Sequence, residues 1–435
     1  MSGTRIVLIG AGSVEFTRNL LGDILAYPES HDVTLVLHDI DADRLRTAER
    51  LAHWVAGAMH ATPSIEAHLD RRAALTGADV VIDTIQVGGA AATRLDFDIP
   101  ARYGLRYTIN DTINVGGVMR GLRTIPVVLG IVRDMDELCP DAWFLYYTNP
   151  MAILVRAVSE RSSIKTVGLC HSVYWTIDTL AGYLDLPASE IDHATAGVNH
   201  LAWIMRLERD GVDLYPALRS AVAAGRVPSD DLVRAELFRR FGFYPTESSE
   251  HHAEYNPWFI PKGNLVDRFH VPIGEYLSRV ANNLDEYAET KRMLDAGEPF
   301  ELERSGEYAA VIVHALATGE PATIVGNVMN TGGLIPNLAA DACVELPCRV
   351  DGTGVHPIAT GALPTRLAAY IRAAVDTQAL TVEAALQEDR DAIYHAVLCD
   401  PQVQAGLTLD EAWRMTDELI AAEARWLPAW LGGTA

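Results

Sequence analysis

The sequence predicts an α/β protein in which a parallel-sheet domain, residues 1–170, precedes a mixed α+β domain, residues 171–435. Short apolar segments alternate with amphipathic segments over the first region, which is typical of consecutive βαβ units. Helical periodicity dominates the second region and leaves only short strand-like segments between the helices. No repeat or low-complexity linker separates the two regions, so we expect them to pack against each other.

The elements of the first region follow one another in regular order. Strands are predicted at residues 5–9, 33–37, 80–85, 143–147 and 166–169, with helices at 14–26, 41–58 and 125–135. In the second region, helices are predicted at 177–184, 230–241, 276–296, 365–377, 382–399 and 409–422, with strands at 201–207 and 323–329. Right-handed crossovers would place the carboxyl ends of the first-region strands along one edge of the sheet, where ligands bind.

Composition indicates a large core and an acidic surface. The 435 residues are 49% hydrophobic, and 35 Lys and Arg against 58 Asp and Glu give a net charge of −23. This charge would repel a polyanion, which argues against a nucleic-acid partner and against an anionic membrane surface. No uninterrupted apolar run approaches the roughly 20 residues that span a bilayer. The sequence therefore predicts no nucleic-acid partner and no membrane partner; the expected partner is a small molecule.

The N-terminal segment and the cysteines indicate a cytoplasmic location. The apolar run at residues 6–9 is too short for a signal sequence and leads directly into a glycine turn. The five cysteines are an odd number, are widely spaced and include no C-x-x-C pair. A reducing compartment is the simplest explanation of that pattern.

A glycine turn joins the first strand to the first helix. Such a turn lets backbone N–H groups and a helix N-terminus approach a pyrophosphate, although Glu15 replaces the third glycine of G-x-G-x-x-G. Asp39 ends the second strand, where its carboxylate would bind a ribose 2′-hydroxyl and repel a 2′-phosphate. The alternative is a plain tight turn with a surface aspartate. Four residues are expected to bind NAD in a Rossmann-type domain: Gly10, Gly12, Ser13 and Asp39.

Polar residues also end the later strands of the first region. Asn149 lies in a Thr-Asn-Pro turn after the strand at 143–147, where it is a candidate for substrate binding or an ordinary chain breaker. Cys170 ends the next strand, and His200 follows thirty residues later. A thiolate and an imidazole can share a divalent metal ion. Spacing alone also allows a buried apolar cysteine and an ordinary core histidine.

A third polar cluster lies at residues 246–258, where acids, two histidines and Tyr255 fall close together. The H-x-x-E-H spacing of a metalloprotease is absent. The cluster is therefore either part of the site or a solvated polar turn.

Together these features resemble glycoside hydrolase family 4, the glycosidases that depend on NAD and a divalent metal. The resemblance rests on the Ile-Gly-Ala-Gly-Ser turn, the Cys-His-Ser-Val strand end and the later Gly-Val-Asn-His segment. It covers nearly the whole chain, including residues 111–126, 246–258, 304–308 and 330–337.

The resemblance implies roles for several residues. It implies that Cys170 and His200 hold a metal ion, with Mn²⁺ as the expected ion, and that Asn149 touches the sugar. Where phospho-sugar enzymes of the family offer an aspartate beside the cysteine, this chain has His171, so the general acid is either His171 or a water on the metal. Tyr255 matches the catalytic base, with Glu250 as a carboxylate alternative.

The Cys-His-Ser-Val pattern is similar to the α-galactosidase subgroup, whose substrates are not phosphorylated. The implied reaction oxidises C3 of the sugar with NAD, removes the C2 proton, eliminates the glycosidic oxygen and adds water before NAD is regenerated. A ketone at C3 is needed because a sugar C2–H is otherwise far too weakly acidic. The resemblance also implies a homodimer or homotetramer.

The same motifs allow other functions. Related patterns occur in α-glucosidases, α-galacturonidases and glucuronidases of the same family. An NAD-dependent 2-hydroxyacid dehydrogenase of the lactate or malate type shares the predicted two-domain architecture, but it expects a His-Asp relay and an arginine clamp. A redox-sensing NAD-binding regulator would need a partner module, and none is visible in the sequence.

Overall fold

A computed structural model describes residues 3–433 of the chain. Its first half alternates strands and helices as the sequence predicts. The strands are β1 (Arg5–Ile9), β2 (Thr34–His38), β3 (Ser64–His68), β4 (Val80–Asp83), β5 (Trp143–Tyr146) and β6 (Lys165–Gly168). The helices are α1 (Val14–Leu25), α2 (Ala42–Ala58), α3 (Arg71–Leu75), α4 (Gly89–Arg102), α5 (Val115–Leu138) and α6 (Met151–Arg161).

The second half is richer in helices, as expected. These are α7 (Ser172–Leu184), α8 (Tyr215–Ala223), α9 (Leu232–Phe241), α10 (Ser249–Glu254), α11 (Leu265–Arg268), α12 (Glu275–Ala296), α13 (Tyr308–Thr318), α14 (Thr365–Gln387), α15 (Arg390–Leu398), α16 (Pro401–Gly406) and α17 (Leu409–Glu423). The strands are β7 (Asp192–Ala196), β8 (Trp203–Arg209), β9 (Val212–Asp213), β10 (Tyr244–Pro245), β11 (Ala322–Met329), β12 (Cys343–Asp351) and β13 (Gly354–Pro357).

One large sheet organises the molecule, with the strand order β13-β12-β11-β6-β5-β4-β1-β2-β3. Strands β1 to β6 pair in parallel, which confirms the predicted α/β class. The order reverses between β1 and β4, so the crevice for a ligand lies beyond the carboxyl ends of these strands. The glycine turn after β1 and the residues that follow β4, β5 and β6 all lie along this edge.

Strands from the second half extend this same sheet. β11 pairs with β6 in antiparallel orientation, and β12 and β13 continue outward from it. A smaller sheet of β7 to β10 joins them through a bridge between Gly197 and Glu345. The two halves are thus tied by backbone hydrogen bonds, and a domain division at residue 170 stays a prediction.

The single helix predicted at residues 382–399 is wrong. Glu388 adopts a left-handed conformation (φ 59°) that ends α14, and the Asp389 side chain accepts from two backbone N–H groups at the start of α15. An aspartate N-cap inside an apolar periodic stretch therefore divides the segment into two helices.

Helix α5 forms much of the core beneath the sheet. By length and composition it could cross a membrane, but 78% of its most apolar window is buried inside the protein. Its Arg123 is fully buried and bonds Asp96 at 2.7 Å and Glu423 at 2.9 Å. Burial and the neighbouring Asp96 raise the pKa of Glu423 well above its usual value. This arginine therefore joins α5 to α4 and α17.

Replacing Arg123 with alanine should lower the free energy of unfolding by about 3–5 kcal/mol, because two buried carboxyl groups lose their cation. Urea unfolding followed by circular dichroism measures this change. The exposed Arg292, which pairs with Glu289 and Glu298, offers a matched control. Its alanine variant should change stability by less than about 1 kcal/mol. Equal losses in both variants would contradict the importance of the buried cluster.

Candidate functional site

The glycine turn after β1 has the shape expected of a dinucleotide-binding turn. Gly10 has φ +85°, and a Cβ there would lie 3.0 Å from the Thr84 carbonyl carbon. A Cβ on Gly12 would lie 2.5 Å from Oδ2 of Asp39, to which the Gly12 N–H donates at 2.8 Å. Side chains are thus excluded from both positions, so the tight turn that leads from β1 into α1 requires glycine at both, as in dinucleotide-binding turns.

The start of α1 completes this turn. Ser13 is the N-cap residue, and its side chain makes no capping hydrogen bond. The first-turn N–H groups of α1 therefore keep capacity for an anion, which the positive end of the helix dipole also favours. The Asp39 carboxylate is partly exposed, and its two oxygens accept hydrogen bonds from the backbone N–H groups of Gly12 and Asp41. Each of its oxygens keeps a lone pair for a ribose hydroxyl.

Cys170 and His200 lie together, with a third donor that the sequence did not reveal. The ligand atoms of Cys170, His200 and Glu247 all lie within 4.8 Å of one another. Nε2 of His200 is 3.7 Å from a carboxylate oxygen of Glu247. A thiol, an imidazole and a carboxylate in this arrangement form a three-ligand site with room for substrate oxygens.

Thr112 determines which nitrogen of His200 is available. The single hydroxyl proton of Thr112 is donated to Asp111 Oδ1 at 2.7 Å. The 2.9 Å contact between Thr112 and Nδ1 of His200 must then have the ring N–H as its donor. This tautomer leaves Nε2 with a free lone pair facing Cys170 and Glu247. The arrangement is the usual one for a metal-binding histidine, whose other nitrogen is held by a neighbour.

Two of these three residues adopt a strained backbone. His200 has φ +63° and Glu247 has φ +68°, in the left-handed region that non-glycine residues seldom occupy. The Arg234 guanidinium holds the carbonyl oxygen of Glu247, and Asp231 holds that guanidinium in turn. Strain that the surroundings maintain at clustered polar residues is characteristic of functional sites.

His171 follows Cys170 and pairs with a second unforeseen carboxylate. Its Nδ1 lies 2.9 Å from Oε1 of the buried Glu307, and the ring is half-exposed. Partial burial opposes a charge on the ring, but the hydrogen bond and charge of Glu307 outweigh it and raise the pKa of His171. The pair therefore orients an imidazole at the mouth of the site.

Asn149 and Tyr255 present polar atoms beside the three-ligand cluster. Asn149 donates to Asp111 Oδ2 at 3.2 Å, and its own carbonyl oxygen is buried without a partner within residues 3–433. The Tyr255 hydroxyl is likewise buried and unpartnered in this range. Burial, Glu254 and Asp111 raise the pKa of Tyr255 well above its usual value. Both residues thus hold unused hydrogen-bonding capacity close to His200.

Ring contacts connect Tyr255 to the cluster. The rings of His200 and His251 lie 4.7 Å apart, and the Tyr255 ring lies 5.9 Å from His251. Glu250, the carboxylate alternative for the base, instead forms an ion pair with Arg279 at 2.9 Å.

A buried carboxylate, Glu345, lies behind the cluster. Its Oε1 accepts from Asn327 at 3.0 Å and from Asn199 at 3.2 Å. Burial raises the pKa of Glu345 to about 7 despite these bonds. Strand β12, which carries it, was not predicted from the sequence.

The structure thus brings Asn149, Cys170, His171, His200 and Tyr255 to one edge of the sheet and places the NAD-binding candidates in the turn after β1. Their roles stay predictions. Sequence reasoning did not single out four neighbouring residues: Asp111, Thr112, Glu247 and Glu307. A signal existed, because all four lie inside the segments that carry the family resemblance.

Comparison with known proteins decides the family. The model of the family 4 glycosyl hydrolases matches residues 5–186, and the model of the C-terminal domain of that family matches residues 195–403. The chain belongs to glycoside hydrolase family 4. It is 42% identical to an α-galactosidase of Bacillus subtilis over 98% of this chain and 99% of that protein. It is 37% identical to an α-galactosidase of Rhizobium meliloti over 98% and 90% of the two chains.

Solved structures share the fold of this family 4 chain. A 6-phospho-α-glucosidase from gut microorganisms, in complex with NAD and Mn²⁺, matches with a TM-score of 0.81 and 20% identity over 98% of this chain and 99% of that one. Malate dehydrogenase of Plasmodium falciparum matches with a TM-score of 0.52 and 14% identity over 90% and 100% of the two chains. The second likeness confirms the dehydrogenase-like architecture and concerns the fold alone.

Proposed function

We propose that this family 4 chain is an α-galactosidase that uses NAD and a divalent metal ion, with Mn²⁺ the expected ion, to hydrolyse non-phosphorylated α-galactosides. Its α-galactosidase relatives support the sugar, and the solved relative with NAD and Mn²⁺ supports the cofactors. The observation that carries the proposal is the cluster of Cys170, His200 and Glu247 on the same sheet edge as the glycine turn. A metal ion and a dinucleotide would then meet over one sugar.

The chain's own residues fit both groups. Gly10 and Gly12 occupy positions where a Cβ would clash with Thr84 and Asp39, so the tight turn into α1 requires glycine at both. The N-terminus of α1 would then bind a pyrophosphate, and Asp39 offers carboxylate oxygens to a ribose. Cys170, His200 and Glu247 supply soft, borderline and hard donors, a set that suits a transition metal. When bound, NAD exchanges a hydride with C3 of the sugar, and the metal ion acts as a Lewis acid on the sugar oxygens.

The remaining steps fall to side chains around the sugar. The free carbonyl oxygen of Asn149 would accept a sugar hydroxyl and fix the orientation of the ring. Tyr255 would take the C2 proton, which becomes acidic once C3 is a ketone. His171, held by Glu307, would deliver a proton to the glycosidic oxygen as it leaves. The role of Tyr255 requires an ionised hydroxyl, which a bound cation would favour because its charge would oppose the effect of burial on the pKa of Tyr255.

A non-phosphorylated substrate agrees with the charges in the site. Arg120 is buried and already engaged by Tyr276 at 2.7 Å and by Asp111 at 3.6 Å. Arg234 is engaged by Asp231. Neither guanidinium is available to a phosphate dianion, which would need charge-assisted hydrogen bonds.

A substrate panel tests the proposal. The full-length protein, supplied with NAD, Mn²⁺ and a thiol, should cleave p-nitrophenyl α-galactoside faster than the matching α-glucoside or α-galacturonide, with no accumulation of NADH. Faster cleavage of the glucoside or the galacturonide would reassign the sugar within the family. Steady NADH accumulation with a 2-hydroxyacid and no glycoside cleavage would overturn the proposal.

Replacing His171 with glutamine should slow cleavage in a way that depends on the leaving group. A general acid contributes about 10²–10⁴-fold when the departing oxygen is a poor leaving group. We expect kcat/KM to fall about 10²-fold for methyl α-galactoside but much less for the p-nitrophenyl substrate, whose phenolate leaves without a proton. Equal losses with both substrates would show that His171 is not the acid. His395, on α15, offers a remote control for the same substitution.

The cytoplasmic location and a homodimer or homotetramer stay predictions.

A further inference from the structure

A cavity of about 390 Å³ opens directly beside the candidate acid. It lies between the first turns of α1, the start of α7 and the segment at residues 301–307. Its lining includes His171 and Glu307 together with Glu15, Trp175 and Arg304. Of these residues, only His171 and Glu307 have a role in the proposed reaction.

Trp175 gives the cavity an aromatic face. It lies four residues after His171 on α7 and donates its backbone N–H to the His171 carbonyl oxygen at 3.1 Å, so both side chains project from one face of the helix. The indole is 50% exposed. A single exposed tryptophan needs no explanation by itself. Trp175, however, lies one helical turn from the candidate acid and lines a cavity, so it is well placed to bind a ligand.

The aromatic wall is held in place. The ring of Tyr174 packs edge-on against Trp175 with centroids 5.2 Å apart. Gly306, with φ +76°, lies so close to Tyr174 that a Cβ there would come within 2.8 Å of its ring. The segment that carries Glu307 therefore packs against Tyr174, which in turn supports Trp175.

The polar lining of the cavity suits a neutral, hydroxyl-rich molecule. Oε2 of Glu307 is buried and has no partner within residues 3–433, so it remains a free acceptor. Carboxylates outnumber cations around the cavity: Glu15, Glu301, Glu303 and Glu307 against Arg18 and Arg304. An anionic ligand would be repelled, whereas an apolar wall facing several hydrogen-bonding groups matches a sugar ring.

We propose that this cavity is the subsite for the leaving group and that it binds a neutral sugar, stacked on Trp175 beside the His171–Glu307 pair. The inference rests on the proposed function and deepens it, because it makes the substrates α-galactosides whose leaving group is itself a sugar. The chemistry places the subsite here, because the leaving group receives its proton from His171 and must therefore lie beside the exposed part of the His171 ring.

Kinetics with two substrates test the subsite. Methyl α-galactoside has no leaving-group sugar, whereas galactosyl-α-1,6-glucose has one. Trp175→Ala should lower kcat/KM for the disaccharide about tenfold more than for the methyl glycoside, mainly through KM. Trp175→Phe, which keeps an aromatic face, should recover part of the loss. Trp413→Ala, on α17 and packed against Tyr394, is the control and should leave the ratio of the two substrates unchanged.

The same ratio in wild type and Trp175→Ala would overturn the subsite. Failure of the proposed function is recognised separately, because no α-galactoside would then be cleaved by the wild type. Saturation-transfer NMR with glucose on the full-length protein decides the subsite in that case. A glucose signal that disappears in Trp175→Ala and is weaker for glucose 6-phosphate supports the proposal. An unchanged signal in the variant, or none in the wild type, overturns it.

Discussion

Cys170→Ser is expected to lower kcat/KM for an α-galactoside by about 10³-fold or more, because Lewis-acid stabilisation is worth several kcal/mol. A serine hydroxyl ionises far less readily than a thiol, so the variant leaves only His200 and Glu247 to hold the cation. NAD affinity should be unchanged, since the glycine turn after β1 is a separate structure. Binding of free Mn²⁺, followed by its electron paramagnetic resonance signal, should weaken in parallel with activity.

Cys399→Ser is the matched control, because Cys399 is also a free, partly buried cysteine and lies at the end of α15. It should retain both Mn²⁺ affinity and turnover. Full activity of Cys170→Ser in buffer treated with a chelator would contradict the proposal that Cys170 holds a catalytic metal ion. Lost activity with unchanged Mn²⁺ affinity would instead place Cys170 in direct contact with the sugar.

The parallel half of the fold was predictable because its strands are short apolar runs buried on both faces. Leu35–Leu37 and Val80–Ile82 of the central strands are fully enclosed, and such runs stand out in a sequence. β3 was missed because it lies at the sheet edge, where Ser64, Glu66 and His68 interrupt the apolar pattern. β12 was missed because Glu345, Pro347 and Arg349 interrupt its apolar residues, and a proline is rare inside a strand.

The site was predictable to the extent that it follows strand ends. Asn149 and Cys170 come directly after β5 and β6, so the topology of a parallel sheet already places them together. Glu247 and Thr112 come from loops whose convergence depends on tertiary packing. The left-handed backbone of Glu247 has no sequence signature either, since glutamate is not a residue that favours it. Such residues become visible only when distances are known.

Tyr255→Phe should reduce turnover by about 10²–10⁴-fold, the usual contribution of a general base. Only the hydroxyl is removed, and this hydroxyl has no partner within residues 3–433, so the fold and Mn²⁺ affinity should be retained. Exchange of the C2 proton with D₂O, which elimination requires, should be lost. Tyr394→Phe is the control, because its hydroxyl bonds Asp417 on the distant α17.

The isotope measurement separates Tyr255 from its carboxylate neighbours as the base. Hydride transfer at C3 precedes deprotonation, so Tyr255→Phe should still reduce bound NAD in a single turnover while exchange at C2 stops. If exchange persists in the variant, a carboxylate of the site takes the proton in place of Tyr255. If both exchange and NAD reduction stop, Tyr255 positions the sugar for hydride transfer instead. The ratio of the two rates therefore assigns the role of this hydroxyl, which the loss of turnover alone does not.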